Sequence, residues 1–168
     1  MINGEEYLRQ KYPDLDENQY QPSGIDLKLG ELKEFHNMQN YYGIYDGIKD
    51  LPEQKNCETV KIENVNTDGE VTGYFLEPHI PYMAVTEEKI NISLTSGQLY
   101  LPRSSLLRAG VDVRTAYGDN GFNGHLSFLI INHNDTPFFL EKGERFAQLI
   151  DIQITNTKKG YNGDYQEK

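Results

Sequence analysis

Apolar and polar residues alternate along several stretches of this chain, the pattern of strands with one buried face. Lys89-Ile90-Asn91-Ile92-Ser93-Leu94 sets Ile90, Ile92 and Leu94 on one side. Lys61 to Val65 alternates weakly, and Gly73 to Leu76 is apolar and aromatic. Leu126 to Ile131 is almost wholly apolar, which predicts a strand buried on both faces. Phe146 to Ile154 predicts another, with Phe146 and Gln148 facing away from Ala147 and Leu149. Residues 4–11 predict one short helix that turns Tyr7 and Leu8 inward and stops at Pro13.

Turn signals break these segments at short intervals: Thr67-Asp68-Gly69, Ser96-Gly97, Asp119-Asn120-Gly121, Asn134-Asp135-Thr136-Pro137 and Lys142-Gly143. Short strands at that spacing predict a mainly β sandwich or barrel with one or two short helices. His36 to Cys57 has no clear period and reads as a long excursion or irregular hairpin. Thr155 to Lys168 is polar, holds two glycines and reads as a mobile tail.

Composition narrows the function classes. At 168 residues the chain suits one domain. With 37% hydrophobic and 25% charged residues its core is modest, so oligomerisation is one way to bury more apolar surface. A net charge of -10 argues against a nucleic acid partner, whose affinity comes from Lys and Arg. It does not argue against a triphosphate, because a few local cations and Mg²⁺ reverse the sign within one pocket. The single cysteine, Cys57, permits no disulfide within the chain. No apolar run reaches a membrane span, and the N-terminus lacks a signal-peptide pattern, so the expected setting is the cytoplasm.

Three segments carry chemistry. In Pro102-Arg103-Ser104-Ser105-Leu106-Leu107-Arg108, adjacent hydroxyls beside two arginines suit a polyphosphate. Ser105 also suits a helix N-cap, and Arg108 faces either the phosphates or solvent. Asp119 begins Asp119-Asn120-Gly121-Phe122-Asn123-Gly124, a sequence that by itself reads as a hairpin turn. With a buried strand following, such a turn mounts a carboxylate at the rim of a rigid sheet, where a general base belongs. The two segments are close in sequence, so one site could hold both. Gln148 lies in an otherwise apolar strand and either ties strands together or reaches a ligand. The histidines show no metal-ligand spacing, and no P-loop or dinucleotide-type glycine loop is present.

Taken in order, five blocks and the tail resemble the dUTPase/dCTP deaminase superfamily. Gln21 to Leu27 with Leu29-Gly30 resembles the first motif, in its deaminase-branch form. Phe75 to Leu94 resembles the strand pair entering the active site, with His79 where a glycine is usual. Pro102 to Gly110, Asp119 to Gly124 and Lys142 to Ile150 resemble the second, third and fourth motifs. Tyr161 to Gln166 resembles the lid motif, with Asp164 where a lysine is usual. Residues 31–74 match no motif, and the loop between Arg108 and Asp119 is shorter than in the deaminases.

The resemblance implies a compact β-clip-type barrel or sandwich over residues 1–154, a tail or lid over 155–168, and a homotrimer with sites at subunit interfaces. It implies a deoxyribonucleoside triphosphate ligand with Mg²⁺ held through phosphates and water, with no direct protein ligand. In that scheme Arg103, Ser104 and Gln148 hold phosphate oxygens, assisted by Ser105 or Arg108. Asp119 activates the water that attacks the α-phosphorus. The turn around Asp119, with Ala116 and Gly124, reads the base, and Phe122 packs beneath the sugar. Tyr161, Tyr165 and Gln166 belong to the lid, and Asp26 supports the fold or the metal's water shell. Asp112 is a weaker claimant to the base role.

One position separates the two chemistries. Deaminase members carry a glutamate ten residues after the third-motif aspartate, and here that position is Leu129. Leucine moves no proton, and a general acid–base contributes about 10²–10⁴-fold in rate. The expectation is therefore a dUTP diphosphatase in a bacterial or phage-infected cell. The rivals are a dCTP deaminase or bifunctional enzyme, and a non-catalytic nucleotide-binding or regulatory trimer that uses residues 31–74 as its contact surface.

Overall fold

The computed structural model describes residues 1–35, 59–61, 72–163 and 166. Helix α1 (Glu5–Lys11) and a 3₁₀ turn (Glu17–Gln19) precede β1 (Tyr20–Gln21), β2 (Gly24–Phe35), β3 (Thr59–Lys61) and β4 (Gly73–Leu76). β5 (Pro81–Asn91), β6 (Ser96–Pro102), α2 (Ser104–Arg108) and β7 (Val111–Arg114) come next. β8 (Asn123–Asn132), β9 (Phe138–Glu141) and β10 (Arg145–Gln153) complete the order. The main sheet runs β6-β10-β2-β5-β8-β7, every neighbour antiparallel, while β4 pairs with β9.

The long strand β2 pairs with β10 and β5 in this order, and also with the short strands β1 and β3. Its register slips between Leu29 and Glu31, so the first half pairs with β10 and the second with β5. Gly30 occupies the slip, where an added Cβ would meet the Glu87 backbone at 3.0 Å. The two ends of the sheet approach each other after β7, where Gly118 bridges to Gln98 of β6. This sheet, nearly closed on itself, is the expected barrel-like β architecture.

Ile25, Leu27, Leu29, Ile90, Ile130, Phe146 and Leu149 are fully buried inside it. Each such side chain contributes about 1.5–3 kcal/mol of burial. α1 has acidic residues in its first turn and basic ones in its last, which complements its dipole.

Several pattern-based expectations shift. β8 buries alternate residues only: Ser127 is exposed and Leu129 and Ile131 are half-buried. An antiparallel strand covered on one side leaves its other face outward, whatever its residues. In β10 a bulge between Arg145 and Ala147 turns Phe146 inward beside Ala147, not outward with Gln148. Leu94 lies past the end of β5 and is exposed, and Tyr7 of α1 faces outward while Leu8 is buried. Lys61 ends β3, and His36 to Cys57 and Ile62 to Val65 lie outside the described residues.

Candidate active site

The outer face of β6, β10 and β2 gathers polar groups at one end. Pro102 closes β6, and Arg103 follows as the N-cap of α2, its carbonyl accepting from Leu106 N at 3.1 Å. Arg103 Nε meets Asp26 Oδ2 at 3.1 Å, and Arg145 Nη1 meets the same oxygen at 3.3 Å. The two guanidiniums cover Asp26, which is 4% exposed. Burial pushes the Asp26 carboxyl above its ordinary range, and the charges of Arg103 and Arg145 oppose that rise. Gln148 stands opposite Asp26 and Leu101 in the ladders, so all three share this face. Its side chain makes no hydrogen bond among the described residues, so it does not tie strands together here.

Beyond Arg103, α2 carries Ser104, Ser105 and Arg108, all exposed, with Leu106 anchoring the helix in the core. Arg108 Nη1 reaches Ser104 Oγ at 3.5 Å. Ser105 is not the N-cap: Arg103 holds that place without a side-chain capping bond, so neither serine hydroxyl is spent on capping.

Asp119 stands at the other end of β6. The segment Thr115–Gly118 lies across that strand. Thr115 Oγ1 donates to Tyr100 O at 2.8 Å, and Gly118 exchanges both backbone hydrogen bonds with Gln98, at 2.8 and 2.9 Å. After Asp119, Phe122 N donates to the Asp119 carbonyl at 3.2 Å, and Gly121 N donates to Ile92 O at 3.0 Å. Gly121 adopts φ +82°, the left-handed conformation this turn requires of a glycine. Asp119 itself is exposed. Ala116 is exposed on the same strap, Phe122 is half-buried against the core, and Gly124 is buried opposite Ile90.

From Gln98 to Arg103 the chain runs extended for about 17 Å. Within one protomer Asp119 and the Arg103 cluster therefore do not share a pocket. α2, β7 and the strap carry the chain back along β6, so the fifteen positions between Arg103 and Asp119 end at its opposite end.

The tail meets its own turn. Tyr161 N donates to Asn120 O at 2.6 Å, and its ring packs edge-on against Phe122 with centroids 5.6 Å apart. Gln166 Nε2 donates to Gly121 O at 3.1 Å, and its Oε1 accepts from Asn123 N at 3.3 Å. Tyr165 and Asp164 lie outside the described residues. Leu129 sits half-buried on the outer side of β8, opposite Met83 and Arg114. A carboxylate shares that side, Asp112 opposite Ile131, but Arg114 Nε holds it at 2.8 Å. Among the described residues no three His, Cys, Asp or Glu side chains converge as a metal cage. The donors that do converge are guanidinium, hydroxyl and amide, a set that fits a metal–triphosphate rather than a bare cation.

The sequence does not single out Arg145, although it lies three residues before Gln148 in the same strand; the bulge turns it onto Asp26. His79 adopts φ +61°, which explains why a glycine suits that position; its N donates to Asn132 O at 2.8 Å and its ring meets Asp135 at 3.2 Å. No described helix is long and apolar enough to cross a membrane.

The chain has known relatives. A protein of Methanopyrus kandleri named probable deoxyuridine 5'-triphosphate nucleotidohydrolase is 40% identical over 98% of this chain and 99% of its own length. One of the same name from Methanothermobacter thermautotrophicus is 36% identical over 99% of this chain and 100% of its own. The crystal structure of 2'-deoxycytidine 5'-triphosphate deaminase from Agrobacterium tumefaciens shares the fold, with a TM-score of 0.65 at 19% identity. That match covers 89% of this chain and 47% of the deaminase chain. The dCTP deaminase-like family profile matches residues 5–153, so the chain belongs to the dCTP deaminase-like family.

Proposed function

We propose that this protein hydrolyses dUTP to dUMP and pyrophosphate, at sites that neighbouring copies complete within a homotrimer. Leu129 carries the choice of chemistry. An apolar side chain stands where deamination of dCTP needs a proton carrier, and the near-full-length relatives are named for dUTP hydrolysis. Residues 1–154 form the catalytic domain and 155–168 the lid, and the enzyme works in the cytoplasm.

Arg103 forks onto phosphate oxygens while Asp26 keeps its guanidinium aimed, and Ser104 and Gln148 donate beside it. Ser105 and Arg108 assist from α2. Mg²⁺, when bound through the phosphates and water, neutralises charge and fixes the triphosphate's shape. Asp119 of a neighbouring copy takes a proton from a water molecule. The water oxygen bonds to the α-phosphorus, the bond from that phosphorus to the α–β bridging oxygen breaks, and pyrophosphate leaves with the electron pair. Gly121 O and Asn123 N, which hold the Gln166 carboxamide here, offer an acceptor–donor pair that an imide edge complements. Phe122 supports the sugar, leaving no room for a 2′-hydroxyl, and Tyr161 closes against it.

The separation along β6 motivates the shared site, and an apolar outer face supplies a contact surface. Leu99 and Leu101 are 42% and 47% exposed on β6, beside Ile150 of β10. The test is to incubate the protein with Mg²⁺ and either dUTP or dCTP and to separate the products. Pyrophosphate and dUMP from dUTP alone support the reading. Release of dUTP or dUMP from dCTP establishes a deaminase instead, and tight dUTP binding without turnover establishes a non-catalytic protein.

A further inference from the structure

We propose that Tyr100 and Gly118 are positioning residues that set where the Asp119 carboxylate stands, an inference that rests on Asp119 being the base. Asp119 is flanked by two fixed points. Behind it, Gly118 is held to Gln98 by both backbone hydrogen bonds. Ahead of it, Ile92 accepts from Gly121 N at 3.0 Å and donates to Phe122 O at 2.8 Å. The floor under the first point is the Tyr100 hydroxyl. A Cβ on Gly118 would collide with Tyr100 Oη, and would meet Ile92 Cδ1 at 2.8 Å and Tyr100 Cζ at 3.0 Å. Gly118 does not have positive φ, so an alanine there is excluded by space and not by backbone strain. Tyr117 closes the other side, its hydroxyl occupying the place a Gly97 side chain would take.

The hydroxyl is itself held from below. Tyr100 Oη donates to Gln98 Oε1 at 2.9 Å, and Gln98 Nε2 donates to Asp151 Oδ2 at 3.0 Å and to Tyr12 Oη at 3.1 Å. Asp151 accepts from Lys11 Nζ at 3.0 Å and from Asn3 Nδ2 at 2.7 Å, and Tyr12 Oη donates to Asn91 O at 3.0 Å. Gln98 and Asp151 are fully buried, so each has few alternative partners and the chain has one arrangement. Burial, with the surrounding negative groups, holds the Tyr100 hydroxyl far above its ordinary range, so it stays protonated at any working pH. The N-terminal helix thus reaches the proposed base through four side chains: Lys11, Asp151, Gln98 and Tyr100. A displacement of about 1 Å in a reacting group costs about 10²-fold in rate.

The experiment compares the full-length wild type, Gly118→Ala, Tyr100→Phe and the double variant. Gly118→Ala lowers kcat for dUTP roughly 10²-fold with KM changed less than about threefold. Tyr100→Phe makes no collision and lowers kcat less. The double variant, whose hydroxyl is gone, recovers part of the way towards the Tyr100→Phe value, because the close approach to Ile92 Cδ1 at 2.8 Å remains. Backbone amide NMR shifts at residues 119–122 move in Gly118→Ala, while those at 103–108 hold. A folded Gly118→Ala with kcat within about twofold of wild type, or a double variant no better than Gly118→Ala, overturns the inference. If Gly118→Ala does not fold, an unchanged kcat in Tyr100→Phe overturns it. If the wild type does not turn over dUTP, the reading of Asp119 as base fails on its own. The amide shifts then decide the positioning, and unmoved resonances at 119–122 overturn it.

Discussion

The two ends of β6 hold their functional groups by opposite means. At the Arg103 end the fixing is ionic: two guanidiniums converge on one Asp26 oxygen at 3.1 and 3.3 Å, and Ser104, Ser105 and Arg108 on α2 are exposed. At the Asp119 end it is main-chain: a glycine bridge behind, a tight turn ahead, and beneath them a hydroxyl–amide pair backed by the Lys11–Asp151 ion pair. The difference follows from what each end is asked to do. Under the proposed function, a flexible triphosphate tolerates long, adjustable cations, whereas a base that must align one water on one phosphorus cannot swing.

The strongest way to break this comparison is Asp119→Asn. It should lower kcat for dUTP by about 10²–10⁴-fold while oligomeric mass and thermal midpoint stay unchanged, checked by pyrophosphate release, light scattering and calorimetry. Arg103→Ala should lower kcat/KM by about 10²-fold, and Arg103→Lys should restore little, since an ammonium cannot fork onto two oxygens. Mixing unfolded Asp119→Asn and Arg103→Ala chains and refolding them sharpens the comparison. A site shared between copies should regain about a quarter of wild-type activity, because one neighbour pair in four carries both intact ends. A site within one copy stays inactive in the mixture.

A smaller effect concerns Glu88, behind the Arg103 end. Its carboxylate accepts from Gln19 Nε2 at 2.5 Å and from Lys28 N at 3.1 Å, yet burial raises its pKa above the ordinary 4.5. A carboxyl whose folded pKa is raised binds its proton more tightly in the folded state. Its stabilising contribution is therefore present at low pH and is lost as pH rises through the folded pKa. Glu88→Gln should thus gain stability relative to wild type as pH rises above the ordinary carboxyl value of 4.5, read from urea midpoints. The smallest effect belongs to His79, which touches neither end. His79→Gly should relieve the φ +61° backbone, raise stability by about 0.5–1 kcal/mol in thermal melts and leave kcat unchanged.

What the residues by themselves determined is the chemistry and the strand content. Apolar runs located β4 and β8, and alternation located β10 and the end of β5, because strand patterning is imposed locally by the pleat. The types at Arg103, Ser104, Asp119 and Gln148 suit the proposed polyphosphate site with a carboxylate base, and Leu129 speaks against deamination without any coordinates. Tertiary structure decided the rest. Whether Leu129 and Ile131 are inside or outside depends on what covers the sheet, and the inward turn of Phe146 on a one-residue bulge. The glycine demanded at 118 comes from a hydroxyl eighteen positions away. The distance between Asp119 and Arg103 depends on the path of the chain, because sequence separation limits how far apart two residues can lie and says nothing of how near they come.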